Sequence, residues 1–200
     1  ATSGKKLDEL PSGSVIGTSS LRRRAQLLVL RPDIKVVDLR GNLETRVRKM
    51  KELNLDGIVL AWAGLARMDM THLITEIFAP ESMLSAAGQG ALAIEIREDD
   101  DKIRQLVAKL ESPTARIEIA AERAFLAGLG GGCQVPIGAR AQVRDGQVHL
   151  MGMVASLDGS EMIKVSGVMP INEAEDLGRD LAQQAIARGG QQILAAIPRD

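Results

Sequence analysis

The stretch Ser14–Leu30, SVIGTSSLRRRAQLLVL, decides the architecture. Ser14–Gly17 is a short apolar run closed by a glycine and predicts a strand. Ser20 then stands where a helix N-cap belongs, ahead of Leu21, Ala25 and Leu28 on one helical stripe, so Ser20–Leu30 predicts a helix. A strand feeding directly into a helix is the start of a βα unit. Two more units follow. Ile34–Leu39 (IKVVDL) predicts a strand and Leu43–Leu53 a helix with Leu43, Val47 and Met50 inward. Gly57–Ala61 (GIVLA) predicts a third strand before a short helix over Trp62–Met68. The strand ends Gly17, Leu39 and Ala61 are 22 residues apart, as successive units on a mostly parallel sheet would be.

Further along, the pattern changes. Ser85–Gly90 (SAAGQG) is small and flexible and reads as a hinge, Ala91–Ile96 as another strand, and Lys102–Leu110 as a polar helix. Ser112 and Pro113 supply an N-cap and a proline at the first helical position for a helix through Leu129, which Gly130, Gly131 and Gly132 stop. Three alternating runs, Gly138–Val143, Val148–Ser156 and Met162–Val168, are joined by Asp145-Gly146 and Asp158-Gly159, and a closing helix runs from Asn172 to about Arg188. The expected fold class is α/β. After an N-terminal linker over 1–9, a βα lobe spans 10–84, a hinge with its following segment spans 85–111, and a small α+β domain with a three-stranded antiparallel sheet spans 112–200.

At 200 residues, 45% apolar and 26% charged, the chain is neither disordered nor collagen-like. A single cysteine, Cys133, forbids an intrachain disulfide framework. With His72 and His149 as the only histidines there is no Cys/His set for structural zinc, and no metal site is expected. No apolar run reaches the roughly 18 residues a membrane helix needs. The only aromatics are Trp62, Phe78 and Phe125, too few for base-stacking platforms. Charge is unevenly spread: residues 1–50 carry 11 Lys/Arg against 5 Asp/Glu, and residues 51–100 carry 3 against 9. A basic first quarter suits an anionic ligand, and an ordinary solvated basic face is the alternative.

Gly17–Arg24 (GTSSLRRR) joins a strand end to a helix start, where free backbone N–H groups meet the hydroxyls of Thr18, Ser19 and Ser20. Arginines in a first helical turn oppose the helix dipole, at about 0.3–1 kcal/mol per exposed charge, and an anion among them would offset this. A capped helix with solvated arginines is the competing reading. Arg40 closes the second strand, Arg46 lies one turn into the next helix, and Arg67 follows the third junction. In an open parallel sheet these loops share the edge at the strands' carboxyl ends. Arg22 or Arg23 with Arg40, Arg46 and Arg67 is therefore expected to converge on one cleft, suited to a ligand with several carboxylates or phosphates. Cys133, between three glycines and Pro136, is open to two readings, an exposed usable thiol or a small buried hydrophobe.

Six segments then coincide: GTSSLRR (17–23), LRGNLETR (39–46), LAWAGLAR (60–67), AAGQGALAIE (86–95), AERAF (121–125) and GGCQVPIG (131–138). In order and spacing, from about Leu7 to Ile197, they closely resemble the porphobilinogen deaminase (hydroxymethylbilane synthase) family. The resemblance implies a βα lobe like those of periplasmic binding proteins, followed by the small α+β domain. It also implies a cytoplasmic transferase of tetrapyrrole (haem) biosynthesis, which condenses four porphobilinogen molecules into hydroxymethylbilane with release of ammonia. The full-length protein would be a monomer without nucleic-acid or membrane partners.

The same resemblance implies a dipyrromethane cofactor joined to Cys133 through a thioether, with further contacts from Thr18, Ser19, Ser20, Arg22, Arg23, Arg40, Gln89 and Gly90. Arg22, Arg40, Arg46 and Arg67 would bind the acetate and propionate groups of porphobilinogen and of the growing pyrrole chain. The family's catalytic aspartate and companion lysine belong to a first domain built largely upstream of GTSSLRR. The expectation is therefore a chain without the catalytic carboxylate, inactive alone. Its segment Ala91–Leu110, the return segment of that domain, would leave an unpaired strand edge open to self-association. The alternative is a non-catalytic two-lobed module that binds a carboxylated small molecule; polynucleotide binding ranks last.

Overall fold

In the computed structural model, which describes residues 3–132 and 135–197, the three βα units form in sequence. They are β1 (Val15–Gly17), α1 (Leu21–Leu30), β2 (Lys35–Val37), α2 (Leu43–Glu52), β3 (Gly57–Ile58) and α3 (Trp62–Arg67). The strands are parallel in the order β2-β1-β3, with Ile16 opposite both Val36 and Gly57. All three carboxyl ends therefore open on one edge of the sheet. The strands are shorter than their apolar runs: β3 ends at Ile58 because the chain must turn into α3, whose N-cap is Ala61. At Gly17 only a hydrogen fits, since a Cβ would lie 2.8 Å from Leu55 Cδ1 and 3.0 Å from Leu39 Cδ2.

Local capping sets both long helices of this lobe. Ser20 Oγ accepts the Arg23 N–H at 3.4 Å, and Asn42 Oδ1 accepts the Thr45 N–H at 2.8 Å. Leu10, Ile16, Leu27 and Ile34 are buried together beneath the sheet's helices.

The prediction of a strand over residues 91–96 is overturned. The segment adopts no regular structure, and Leu92 and Ile94 are 78% and 56% exposed. A strand exists through its ladder of hydrogen bonds, and among the described residues no neighbouring strand offers one to this segment. Period-two alternation alone does not hold an extended backbone in place.

The second region opens with α4 (Asp101–Val107), capped by Asp100, and α5 (Pro113–Gly128), where Ser112 Oγ accepts the Ala115 N–H at 3.3 Å. Strands β4 (Ile137–Arg144), β5 (Gln147–Ala155) and β6 (Met162–Pro170) form the antiparallel sheet β4-β5-β6. Asp145 and Gly146 both take positive φ, 50° and 73°, as a two-residue hairpin turn demands. Helices α6 (Ala174–Ala185) and α7 (Gln191–Ala195) close the chain. The expected helix to about Arg188 forms, with a widened last turn over Ile186–Gly190, and Gly189 at φ 101° breaks it there.

Phe125, Leu150, Val154, Leu177 and Leu181 form the centre of this region's core. Each such side chain contributes about 1.5–3 kcal/mol on burial. Helix α6 crosses α5 at Gly178, where a Cβ would stand 2.7 Å from Ala124 Cβ. The open edge of β4 is closed by Ser85 and by two carboxylates of α5: Ala139, Ala141 and Val143 donate their N–H groups to Ser85 O, Glu122 Oε1 and Glu118 Oε1 at 2.9, 2.8 and 2.9 Å. A smaller apolar cluster of Ala25, Leu84, Met153 and Ala155 ties α1 to β5. No helix among the described residues is long and apolar enough to cross a membrane.

A candidate carboxylate-binding cleft

A cavity of about 290 Å³ lies beside the carboxyl edge of the parallel sheet, and Arg22, Arg23, Gln89 and Arg140 line it together. Its apolar wall includes Ile58, Val59, Trp62, Phe78 and Met83. Two of the chain's three aromatic residues thus face this space, while Phe125 is in the core.

The β1–α1 junction builds the polar side. Thr18 is buried and donates its N–H to Val37 O at 2.9 Å; its Oγ1 accepts the Ser20 N–H at 3.3 Å. Ser19 Oγ accepts the Leu39 N–H at 3.0 Å, pinning the loop after β2. The three hydroxyls accordingly fix the loop geometry from which α1 projects its arginines.

Arg22 is only 6% exposed. Its guanidinium donates to the Leu84 carbonyl through Nη1 and to Gln89 Oε1 at 3.1 Å through Nη2. Arg23 donates from Nη1 to Val59 O at 2.9 Å. Burial, and then the adjacent Arg23 charge, lower the Arg22 pKa to about 10, which leaves it cationic at neutral pH. Burial likewise lowers Arg23, with the Arg46 charge as the next cause. Neither Arg22 nor Arg23 has a carboxylate partner among the described residues. Two neighbouring cations, one buried and one half-buried, without counter-charge raise the local potential and favour an anion beside them.

The remaining site candidates divide. Arg46 stands close enough to Arg23 to depress it, and its Nε donates to Gly41 O at 2.7 Å. Arg40, Arg46 and Arg67 do not line the cavity, and Arg40 and Arg67 are exposed, against the expected convergence of all the strand-end arginines. Arg67 is at the last turn of α3, two residues past the buried Leu65, so helix rotation turns it away. Gln89 reaches the cavity, and Gly90 is exposed beside it at φ 96°. Cys133 lies outside the described residues.

Sequence reasoning missed three residues. Arg140 of β4 lines the cavity from the second region. Glu76, also on the wall, accepts the Leu7 N–H at 2.8 Å. Glu122 is buried and accepts the Gly88 N–H at 2.6 Å and the Ala141 N–H at 2.8 Å, so one carboxylate holds the 84–89 segment to β4. Burial pushes its pKa up, although both N–H groups and Arg140 pull the other way. The period-two pattern of β4 was the available signal for Arg140, and Glu122 stands within the AERAF segment; no local signal marked Glu76.

Fold and cleft define a class: an α/β protein with an arginine-lined cleft between a parallel-sheet lobe and an antiparallel α+β region. Residues 1–105 match the family model for the porphobilinogen deaminase dipyromethane cofactor binding domain, and residues 116–187 match the model for the porphobilinogen deaminase C-terminal domain. The chain belongs to the porphobilinogen deaminase family. It is 48% identical over 194 residues to the porphobilinogen deaminase of Syntrophotalea carbinolica, an alignment covering 97% of this chain and 62% of the relative. The Carboxydothermus hydrogenoformans protein is 49% identical over 98% of this chain and 63% of its own length. The Thermus thermophilus protein is 48% identical over 96% and 64%. The chain thus spans less than two thirds of the length of these curated relatives.

Proposed function

We propose that this chain supplies the carboxylate-binding lobe and the cofactor-carrying domain of a cytoplasmic transferase that condenses four porphobilinogen molecules into hydroxymethylbilane, releasing ammonia. The observation that carries the reading is the pair of buried Arg22 and half-buried Arg23, without a carboxylate partner among the described residues, on the wall of a mixed apolar cavity. A pyrrole bearing an acetate and a propionate matches both halves of that wall, the ring against apolar side chains and the carboxylates against guanidinium forks.

The same residues fit dipyrromethane, whose two rings carry the same acid groups. When bound, that group supplies the primer to which pyrrole units are joined, and Cys133 would hold it through sulfur. The chain's own residues bind and orient. Arg22 and Arg23 neutralise carboxylates, Gln89 holds the Arg22 fork in place, and the apolar wall excludes water from the rings. Arg46 adds charge at the rim, and Arg40 and Arg67 would meet acid groups of a lengthening chain outside the cavity.

Calorimetric titration of porphobilinogen into the 200-residue chain tests this. Binding is expected, and Arg23→Gln is expected to weaken it by about tenfold, the loss of one charge-assisted contact. Identical affinity in the native chain and the variant would overturn the proposal.

A further inference from the structure

Arg140 is not accounted for by the strand-end arginines, because it comes from the other side of the cleft. On β4, Ile137, Ala139 and Ala141 point into the core with Phe125 and Leu150. Alternation therefore turns Gly138, Arg140 and Gln142 to the opposite face. That face looks toward the parallel-sheet lobe: a Cβ on Gly138 would meet Leu84 Cβ at 2.9 Å. Met151, directly across from Arg140 in the ladder, packs on the cluster of Ala25 and Leu84. Arg140 is thus carried by the second sheet to the cavity that Arg22 and Arg23 reach from α1.

Its environment leaves the guanidinium uncommitted. The Arg140 Nε is buried and has no hydrogen-bond partner among the described residues. The acid that acts on it is Glu122, yet the Glu122 oxygens are engaged by the Gly88 and Ala141 N–H groups. Glu122 balances part of the charge without using the guanidinium's donors. A buried N–H donor without an acceptor is costly, and the side chain that carries it lines the cavity.

Resting on the function proposed above, we infer that Arg140 is a further carboxylate-binding residue, which takes one acid group of a pyrrole ligand from the side opposite Arg22 and Arg23. Each porphobilinogen ring carries two carboxylates, so a cleft with guanidinium groups on both walls grips both acids of one ring and ties the antiparallel region to the parallel-sheet lobe. A ligand with a single acid engages only one wall. Arg140 in this way sets the preference for the dicarboxylate.

The test compares calorimetric affinities of the native chain, Arg140→Met, Arg140→Lys and Arg23→Gln for porphobilinogen and for its dimethyl ester, with circular dichroism checking the fold of each. Arg140→Met is expected to weaken porphobilinogen binding by about tenfold or more while leaving the ester unchanged, and Arg140→Lys is expected to fall between Met and native. If Arg140→Met binds porphobilinogen as the native chain does while Arg23→Gln is weakened, the inference falls and the function stands. Equal losses for acid and ester mean that Arg140 only supports the fold, which also overturns it. No porphobilinogen binding by the native chain overturns both.

Discussion

Gln26 and Leu84 pair as one peptide group pairs with another: Gln26 Oε1 accepts the Leu84 N–H at 2.7 Å, and Gln26 Nε2 donates to the Leu84 carbonyl at 3.1 Å. Both residues are buried, and Arg22 donates to the same carbonyl. The chain between the two folded regions is thus fastened to α1 at the cavity wall. Gln26→Leu keeps the volume and removes both bonds. The carbonyl retains Arg22, but the buried Leu84 N–H loses its acceptor, so the expected cost is about 1–3 kcal/mol in urea denaturation. A loss of less than a few tenths would show that the pairing contributes nothing net.

Glu122 predicts a pH dependence. Burial raises its folded-state pKa above the ordinary 4.5, so the folded chain holds the proton more tightly than the unfolded chain. Its contribution is fully present below that ordinary value and is lost as pH rises through the raised folded value. Glu122→Gln cannot titrate, so as pH rises above the ordinary carboxylate value the native chain should lose stability relative to the variant. Urea midpoints measured in parallel read this out; a constant gap contradicts it.

The turn after β5 behaves oppositely. Ser156 Oγ donates to Asp158 Oδ1 at 2.6 Å, and the N–H and Oγ of Ser160 add bonds at 3.1 and 2.8 Å. The Ser156 bond foremost, then those from Ser160, hold the Asp158 pKa at about 2. This stabilisation is present above the ordinary value of 3.8 and is lost as pH falls through about 2. Ser156→Ala should move the midpoint of the Asp158 carboxyl carbon resonance upward; an unmoved midpoint would remove Ser156 as the cause.

Incubated with porphobilinogen, the isolated chain is expected to form no hydroxymethylbilane. The one carboxylate on the cavity wall among the described residues is Glu76, which is engaged by the Leu7 N–H. Chromatographic detection of hydroxymethylbilane, or of porphyrin formed from it, checks this, and sustained turnover would refute it.

Expressed alone, the chain is also expected to carry Cys133 unmodified. Intact-mass measurement should then return the bare 21.4 kDa polypeptide. Two additional pyrrole units on Cys133 would contradict this.

What could be read in advance followed the range of the forces involved. The starts of α1, α2 and α5 were legible because Ser20, Asn42 and Ser112 cap through bonds three residues away. The hairpin at Asp145-Gly146 was legible because positive φ at two successive positions restricts the residues allowed. Residues 91–96 show the limit. Their alternation is that of a strand, but pairing is a long-range event that the segment cannot supply for itself. Arg40 and Arg67 show it for the site: being next to a strand end brings a side chain to the right edge of the sheet, not into the cavity.

The amino-acid sequence by itself determined the order of the βα units, the antiparallel meander, the family, and the candidacy of Arg22, Arg23 and Gln89. Each rests on spacing, capping or motif order within the chain. Tertiary structure alone decided that Arg22 is buried against Leu84, that Glu122 holds Gly88 to β4, and that Arg140 faces the same space as Arg22 and Arg23. These pairs are separated by tens of residues or more, and whether a charge is withdrawn from water or left without a partner depends on which surfaces pack together.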